Sequence, residues 1–90
     1  MKLVRFNLGR LVATPNALAH VPHPEIQCAL HRHVTGDWGE VDPEDWQANE
    51  AALVHACRLL SVYRTANDIR FYIITEADRS VTTVLLSEDY

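Results

Sequence analysis

Ile73-Ile74-Thr75-Glu76-Ala77-Asp78-Arg79-Ser80-Val81-Thr82-Thr83-Val84-Leu85-Leu86 decides the fold. Two runs of β-branched and aliphatic residues flank a short polar centre, Ala77-Asp78-Arg79. β-Branched side chains suit a pleated strand, and a turn this short sends the chain back antiparallel to itself. Working outward, strands are expected at 60–66, 69–76 and 80–86, with Asn67-Asp68 as the other turn. Ahead of them lies the strongest helix start, Asp42-Pro43-Glu44-Asp45. Asp42 caps, Pro43 takes the first helical position, and two carboxylates face the positive end of the dipole.

That helix is expected to run from Pro43 to Leu59, burying a stripe of Trp46, Leu53, Cys57 and Leu60. Asn49 and Glu50 flank the stripe, and Asn49 must find hydrogen-bond partners where it is buried. A second helix opens at His23-Pro24. Its apolar residues Ile26, Leu30 and Val34 recur every four positions, and Gly36 ends it as a left-handed cap. Thr14-Pro15 starts a shorter helix that reaches His20 before Pro22 stops it. Residues 2–13 read as an opening strand with a bulge or bend at Gly9. The sum is a single α+β domain over residues 1–90. Its expected form is an antiparallel β-sheet with three helices packed on one face, in the order β-α-α-α-β-β-β.

Ninety residues allow one modest core, and a homodimer is a route to further burial. The formal charge is −4, and the eight basic residues are scattered along the sequence. Nucleic-acid binding needs clustered cations to displace counterions, so that partner is disfavoured. Asp37, Glu40, Asp42, Glu44 and Asp45 form an acidic stretch. Helix-start carboxylates account for it, with DNA mimicry as the competing reading. Cys28 and Cys57 fall on expected helices and read as buried thiols of a cytoplasmic protein. No apolar run approaches 18 residues, which gives no membrane span.

A second segment carries the other specific pattern: His33-Val34-Thr35-Gly36-Asp37-Trp38-Gly39. With Thr14-Pro15-x-Ala17-Leu18, Asn49, Ala52-Leu53, Arg58-Leu59-Leu60-Ser61-x-Tyr63 and the run 73–86 followed by Tyr90, it spans nearly the whole chain. The chain resembles a family of small bacterial proteins carried on phages, plasmids and other mobile elements. Members of that family bear labels such as hypothetical, plasmid-related or type I restriction enzyme subunit. No methyltransferase cofactor motif is present to match the last of these. The chain departs from the family pattern in three places. Ala56 stands where a glycine is usual, Asn67-Asp68 replaces a glycine-bearing turn, and Ser87 replaces a proline.

Five histidines invite a metal reading, but neither His20 with His23 nor His31 with His33 has helical register for shared ligation, so no metal and no cofactor is expected. His33 with Asp37 has the composition of an acid–base pair, to which Glu76 and Asp78 would add carboxylates. The plainer reading has His33 hydrogen-bonding the Gly36–Gly39 turn. It has Glu76 and Asp78 organising a hairpin with Arg79, and Thr75, Thr82 and Thr83 as ordinary strand residues. Trp38 is either a plug over the core or a recognition anchor. The expected function is a non-catalytic binding protein of a mobile element, with Trp38, Asp37, Glu76, Asp78 and Arg79 as binding candidates. Its expected partner is a host defence or replication protein, and an anti-CRISPR or anti-restriction inhibitor is the first form to test. That partner class is what the resemblance implies. The alternative is a small enzyme or ligand-binding domain using His33, Asp37, Glu76 and Arg79. An enzyme needs those groups around one pocket, whereas a docking protein needs an exposed patch.

Overall fold

The computed structural model describes residues 3–90, so position 2 of the expected opening strand lies outside the described residues. The elements are β1 (Arg10–Ala13), α1 (Pro15–His20), α2 (His23–Val34), α3 (Pro43–His55), β2 (Leu59–Arg64), β3 (Arg70–Thr75) and β4 (Val81–Leu86). A short 3₁₀ turn at Ser87–Asp89 follows. This is an α+β fold in the expected order, with a four-stranded sheet arranged β1-β4-β3-β2. No helix among the described residues is long and apolar enough to cross a membrane.

The sheet is mixed rather than antiparallel. Short turns make β2–β3 and β3–β4 antiparallel. β1, however, runs parallel to β4, with Arg10 opposite Val81 and Ala13 opposite Val84. The chain from β1 to the other strands passes through three helices, and a connection that long does not force a reversal.

Alternation along the strands puts Leu59, Ser61, Tyr63, Phe71, Ile73, Thr75, Thr82, Val84 and Leu86 on one face, all buried. Tyr63, Phe71, Ile73, Val84 and Leu86 form one core cluster with Ala17, Val21, Ile26 and Ala29 from the helical region. Trp38, Ala52 and Leu59 form a second. On the other face Leu60, Tyr72 and Thr83 are half-buried, whereas Val62, Ile74 and Leu85 are buried.

Four local expectations change. The strand begins only at Arg10, because the chain turns at Gly9 (φ +67°). Ahead of that turn, the Arg5 amide bonds the Val34 carbonyl, and Phe6 packs against Trp38. α3 stops at His55, since Ala56 adopts the left-handed conformation (φ 53°, ψ 52°). Trp46 is not on a buried stripe either. It is 37% exposed, while Asn49 and Ala52 are the buried residues of α3. Both cysteines are exposed and free rather than buried. Cys57 lies past the end of α3, and Cys28 lies off the buried face of α2 at Ile26, Ala29 and His33.

Candidate functional site

The HVTGDWG segment lies along the outer edge of β2. Residues of a strand alternate in the direction of their backbone polar groups, so Leu60 and Val62 point theirs away from β3. Val62 donates to the Trp38 carbonyl at 3.1 Å and accepts from the Glu40 amide at 2.7 Å. The Asn49 side chain donates to the Leu60 carbonyl at 2.7 Å and accepts from the Leu60 amide at 3.1 Å. The buried asparagine thus has its partners, and together with 38–40 it closes the edge.

Gly39 is required by that closure. A Cβ there would sit 2.0 Å from the Val62 carbonyl oxygen, and φ is +77°. No L side chain fits so close to backbone. Asp37 sets up the approach. Its carboxylate accepts from the Gly39 amide at 3.1 Å and from Arg32 at 2.8 Å, and its carbonyl accepts from the Tyr63 hydroxyl at 2.6 Å. Burial pushes the Tyr63 phenol well above its ordinary value. Trp38, a binding candidate in sequence, is fully buried and so is a plug rather than a recognition anchor. Its ring stacks on Phe6 and meets the edge of His33, and its indole N–H donates to Glu50 at 2.8 Å. Arg5 binds Glu50 through two hydrogen bonds and, with the indole, holds that carboxyl below its usual range.

His33 reaches away from the 36–39 turn and into the sheet. Its Nδ1 lies 2.5 Å from Ser61 Oγ and its Nε2 2.9 Å from Thr75 Oγ1. Thr75 Oγ1 lies 2.7 Å from Thr82 Oγ1, which donates to the Leu8 carbonyl at 2.6 Å. A carbonyl can only accept, and this fixes each proton in the chain. Thr82 spends its proton on Leu8, so Thr75 must donate to Thr82. Thr75 then accepts from His33 Nε2–H, and Ser61 donates to the bare Nδ1. The imidazole is neutral and fully engaged. Burial, aided by the positive charge of Arg79, lowers its pKa to about 3. With both nitrogens occupied, His33 has none for Asp37, and the supposed acid–base pair is not formed. Thr75 and Thr82 are links of a buried chain rather than ordinary strand residues.

Arg79 does not pair with the hairpin carboxylates. Its guanidinium donates to the carbonyls of Cys57 (2.6 Å), Ala52 (3.0 Å), Glu76 (3.1 Å) and Ala77 (3.3 Å). It thereby ties the C-terminal end of α3, where a cation is favoured by the helix dipole, to the β3–β4 turn. Asp78 instead accepts from the Ser80 amide at 3.0 Å, and the Ser80 side chain, together with that amide, holds its carboxyl below the ordinary range. Glu76 faces Arg58 at 3.6 Å, half-exposed. The four groups of the enzyme alternative therefore do not share a pocket. His33 is buried in the sheet, Asp37 is at the β2 edge, and Glu76 and Arg79 face different partners. Among the described residues no group of three His, Cys, Asp or Glu side chains is arranged to hold a metal ion.

Sequence reasoning missed a groove on the sheet face of Leu60 and Tyr72. Leu60, Val62, Arg70, Tyr72 and Tyr90 line it together with Glu40, Asp42 and Asp45, around about 330 Å³. Tyr72 and Tyr90 meet edge to face at 5.5 Å, and Arg58 sits 5.9 Å over the Tyr90 ring. The available signal was Tyr72, an outward-facing aromatic on a central strand. Family models, curated proteins and solved structures, when compared with the chain, yield no match.

Proposed function

We propose that this chain is a non-catalytic binding protein of a mobile genetic element, acting in the cytoplasm by docking on a host defence or replication protein. An inhibitor of CRISPR or restriction enzymes is its first form to test. In this reading the three helices pack on one face of the sheet and leave the face of Leu60, Tyr72 and Thr83 for a partner. The observation that carries it is the Tyr72–Tyr90 groove. Tyrosine and arginine are the side chains that anchor protein interfaces, and here a half-buried Tyr72 meets an exposed Tyr90 and Arg70 in a concave site. Its lining mixes signs, with Glu40, Asp42 and Asp45 alongside Arg70, and Arg58 lies over Tyr90, which suits a protein surface better than a polyanion. The mobile-element setting rests on the resemblance carried by HVTGDWG and the 73–86 run. The polar candidates for catalysis are engaged in holding the fold, which favours docking over the enzyme alternative.

Capture from a lysate of the bacterial host tests this. The wild-type chain should retain a defined host protein. Tyr72→Glu should lose it while melting within a few degrees of wild type, and the exposed Gln47→Ala should keep it. Equal retention by wild type and Tyr72→Glu, or retention of nothing, would overturn the reading.

A further inference from the structure

The opposite edge of the sheet is built differently. The Arg10 amide bonds the carbonyl of Ser80, just ahead of β4, and the Thr14 amide that of Val84 within it. By alternation, the N–H and C=O groups of Leu11 and Ala13 point outward. Among the described residues nothing bonds them on that side. Leu11 is 53% exposed and Leu18 61% exposed, and both line an apolar groove of about 390 Å³ together with Ala13, Ile26 and Leu30.

We infer that this edge is the interface with a second copy of the chain, paired antiparallel about a twofold axis at Val12. The register follows from which groups point out. With the axis at Val12, Leu11 faces Ala13 of the other copy, and each such pair exchanges two hydrogen bonds. All the outward groups of both strands are then satisfied. An axis at Leu11 would set Ala13 against Gly9, where the chain turns away. An axis at Ala13 would set Leu11 against Pro15, which has no N–H and begins α1.

Side chains agree with this register. Leu11 of one copy lies beside the small Ala13 of the other, where the groove lined by Leu18, Ile26 and Leu30 is open. Arg10 falls opposite Thr14 of the other copy. The Thr14 hydroxyl holds Asp89 at 2.8 Å, so a cation meets a carboxylate twice in the dimer. An extended peptide from another protein would use the same hydrogen bonds, but it would not need this self-complementarity. The two four-stranded sheets become one, and the Tyr72 groove is not used.

Cross-linking reads the register directly. Antiparallel residues on the axis form a non-hydrogen-bonded pair with Cα atoms about 4.5 Å apart, within disulfide reach. In a background where the exposed Cys28 and Cys57 are changed to serine, Val12→Cys should oxidise to a covalent dimer. Arg10→Cys should not, since position 10 faces position 14. In the otherwise unaltered chain, sedimentation should show a concentration-dependent dimer. Leu11→Lys should weaken it at least about tenfold, and Arg10→Glu about threefold to tenfold. Leu11 is exposed, so the lysine variant should melt normally as a monomer. A monomer at every concentration, equal cross-linking at positions 10 and 12, or a dimer indifferent to Leu11→Lys would each overturn the inference. A mixture with an extended apolar peptide that protects Leu11 and Ala13 amides, while the chain alone stays monomeric, would assign the edge to a foreign strand instead.

Discussion

The two edges of this sheet meet the same physical problem with opposite solutions. An edge strand offers a row of unpaired donors and acceptors, and a protein must cover them, blunt them or use them. At β2, Asn49 and the backbone of 38–40 take up the outward groups of Leu60 and Val62. At β1, the outward groups of Leu11 and Ala13 have no such cover among the described residues. The contrast gives the most motif-like segment of the chain a structural task. Asp37, Trp38 and Gly39 hold an irregular segment at bonding distance from a strand.

Substitutions that reopen the closed edge should do the most damage. Gly39→Ala places a Cβ against the Val62 carbonyl, and the connector must leave β2. A loss of about 3 kcal/mol in urea unfolding is expected, and a loss within experimental error would show that 38–40 does not close the edge. Asn49→Leu keeps the volume but strands the Leu60 amide and carbonyl. It should cost about 2 kcal/mol, whereas an edge already covered by water would tolerate it.

Acid should act on both edges at once, because the His33 chain runs from Ser61 in β2 through Thr75 and Thr82 to Leu8, just ahead of β1. His33 titrates near 3 when folded and near 6.5 when unfolded, so between those values the unfolded chain binds more protons. Stability therefore rises with pH through this window and is lost on acidification. About 2 kcal/mol should disappear between pH 6.5 and pH 5. His33→Gln keeps a donor and an acceptor but does not titrate, and it should flatten that slope. An equal slope in the variant would mean that other groups carry it. The smallest expected effect is a gain. Ala56 holds a left-handed conformation at the end of α3, so Ala56→Gly should stabilise by about 1 kcal/mol in the same unfolding measurement.

Strand and helix positions were legible because they depend on local chemistry. The Asp42-Pro43 start, the Thr14 cap and the two hairpins all follow from nearest neighbours. What escaped depends on distant ones. The direction of β1 is set by packing after three helices, and nothing within residues 10–13 encodes it. The early end of α3 turns on Ala56, which has no intrinsic preference for a left-handed backbone. Asp68, in the β2–β3 turn, likewise takes positive φ (+68°) without being glycine. The buried hydroxyl chain did leave a trace. Ser61, Thr75 and Thr82 occupy inward positions on strands otherwise lined there by Leu, Tyr, Phe, Ile and Val, and buried polar groups need partners. Without the strand register, that trace could not be joined to His33. The roles of Trp38 and Arg79 were ambiguous for the same reason, since an indole or a guanidinium serves a core and an interface equally well until its partners are known.

Amide hydrogen exchange on the unaltered chain, residue by residue at two protein concentrations, compares the edges most directly. The amides of Leu60 and Val62 should be protected nearly as well as the central strands at both concentrations. Those of Leu11 and Ala13 should exchange fast in dilute solution and slow as the protein is concentrated, while Val12 stays protected throughout. Fast exchange at Leu60 and Val62, or protection of Leu11 and Ala13 that ignores concentration, would contradict a sheet with one edge closed by its own chain and the other open to a second copy.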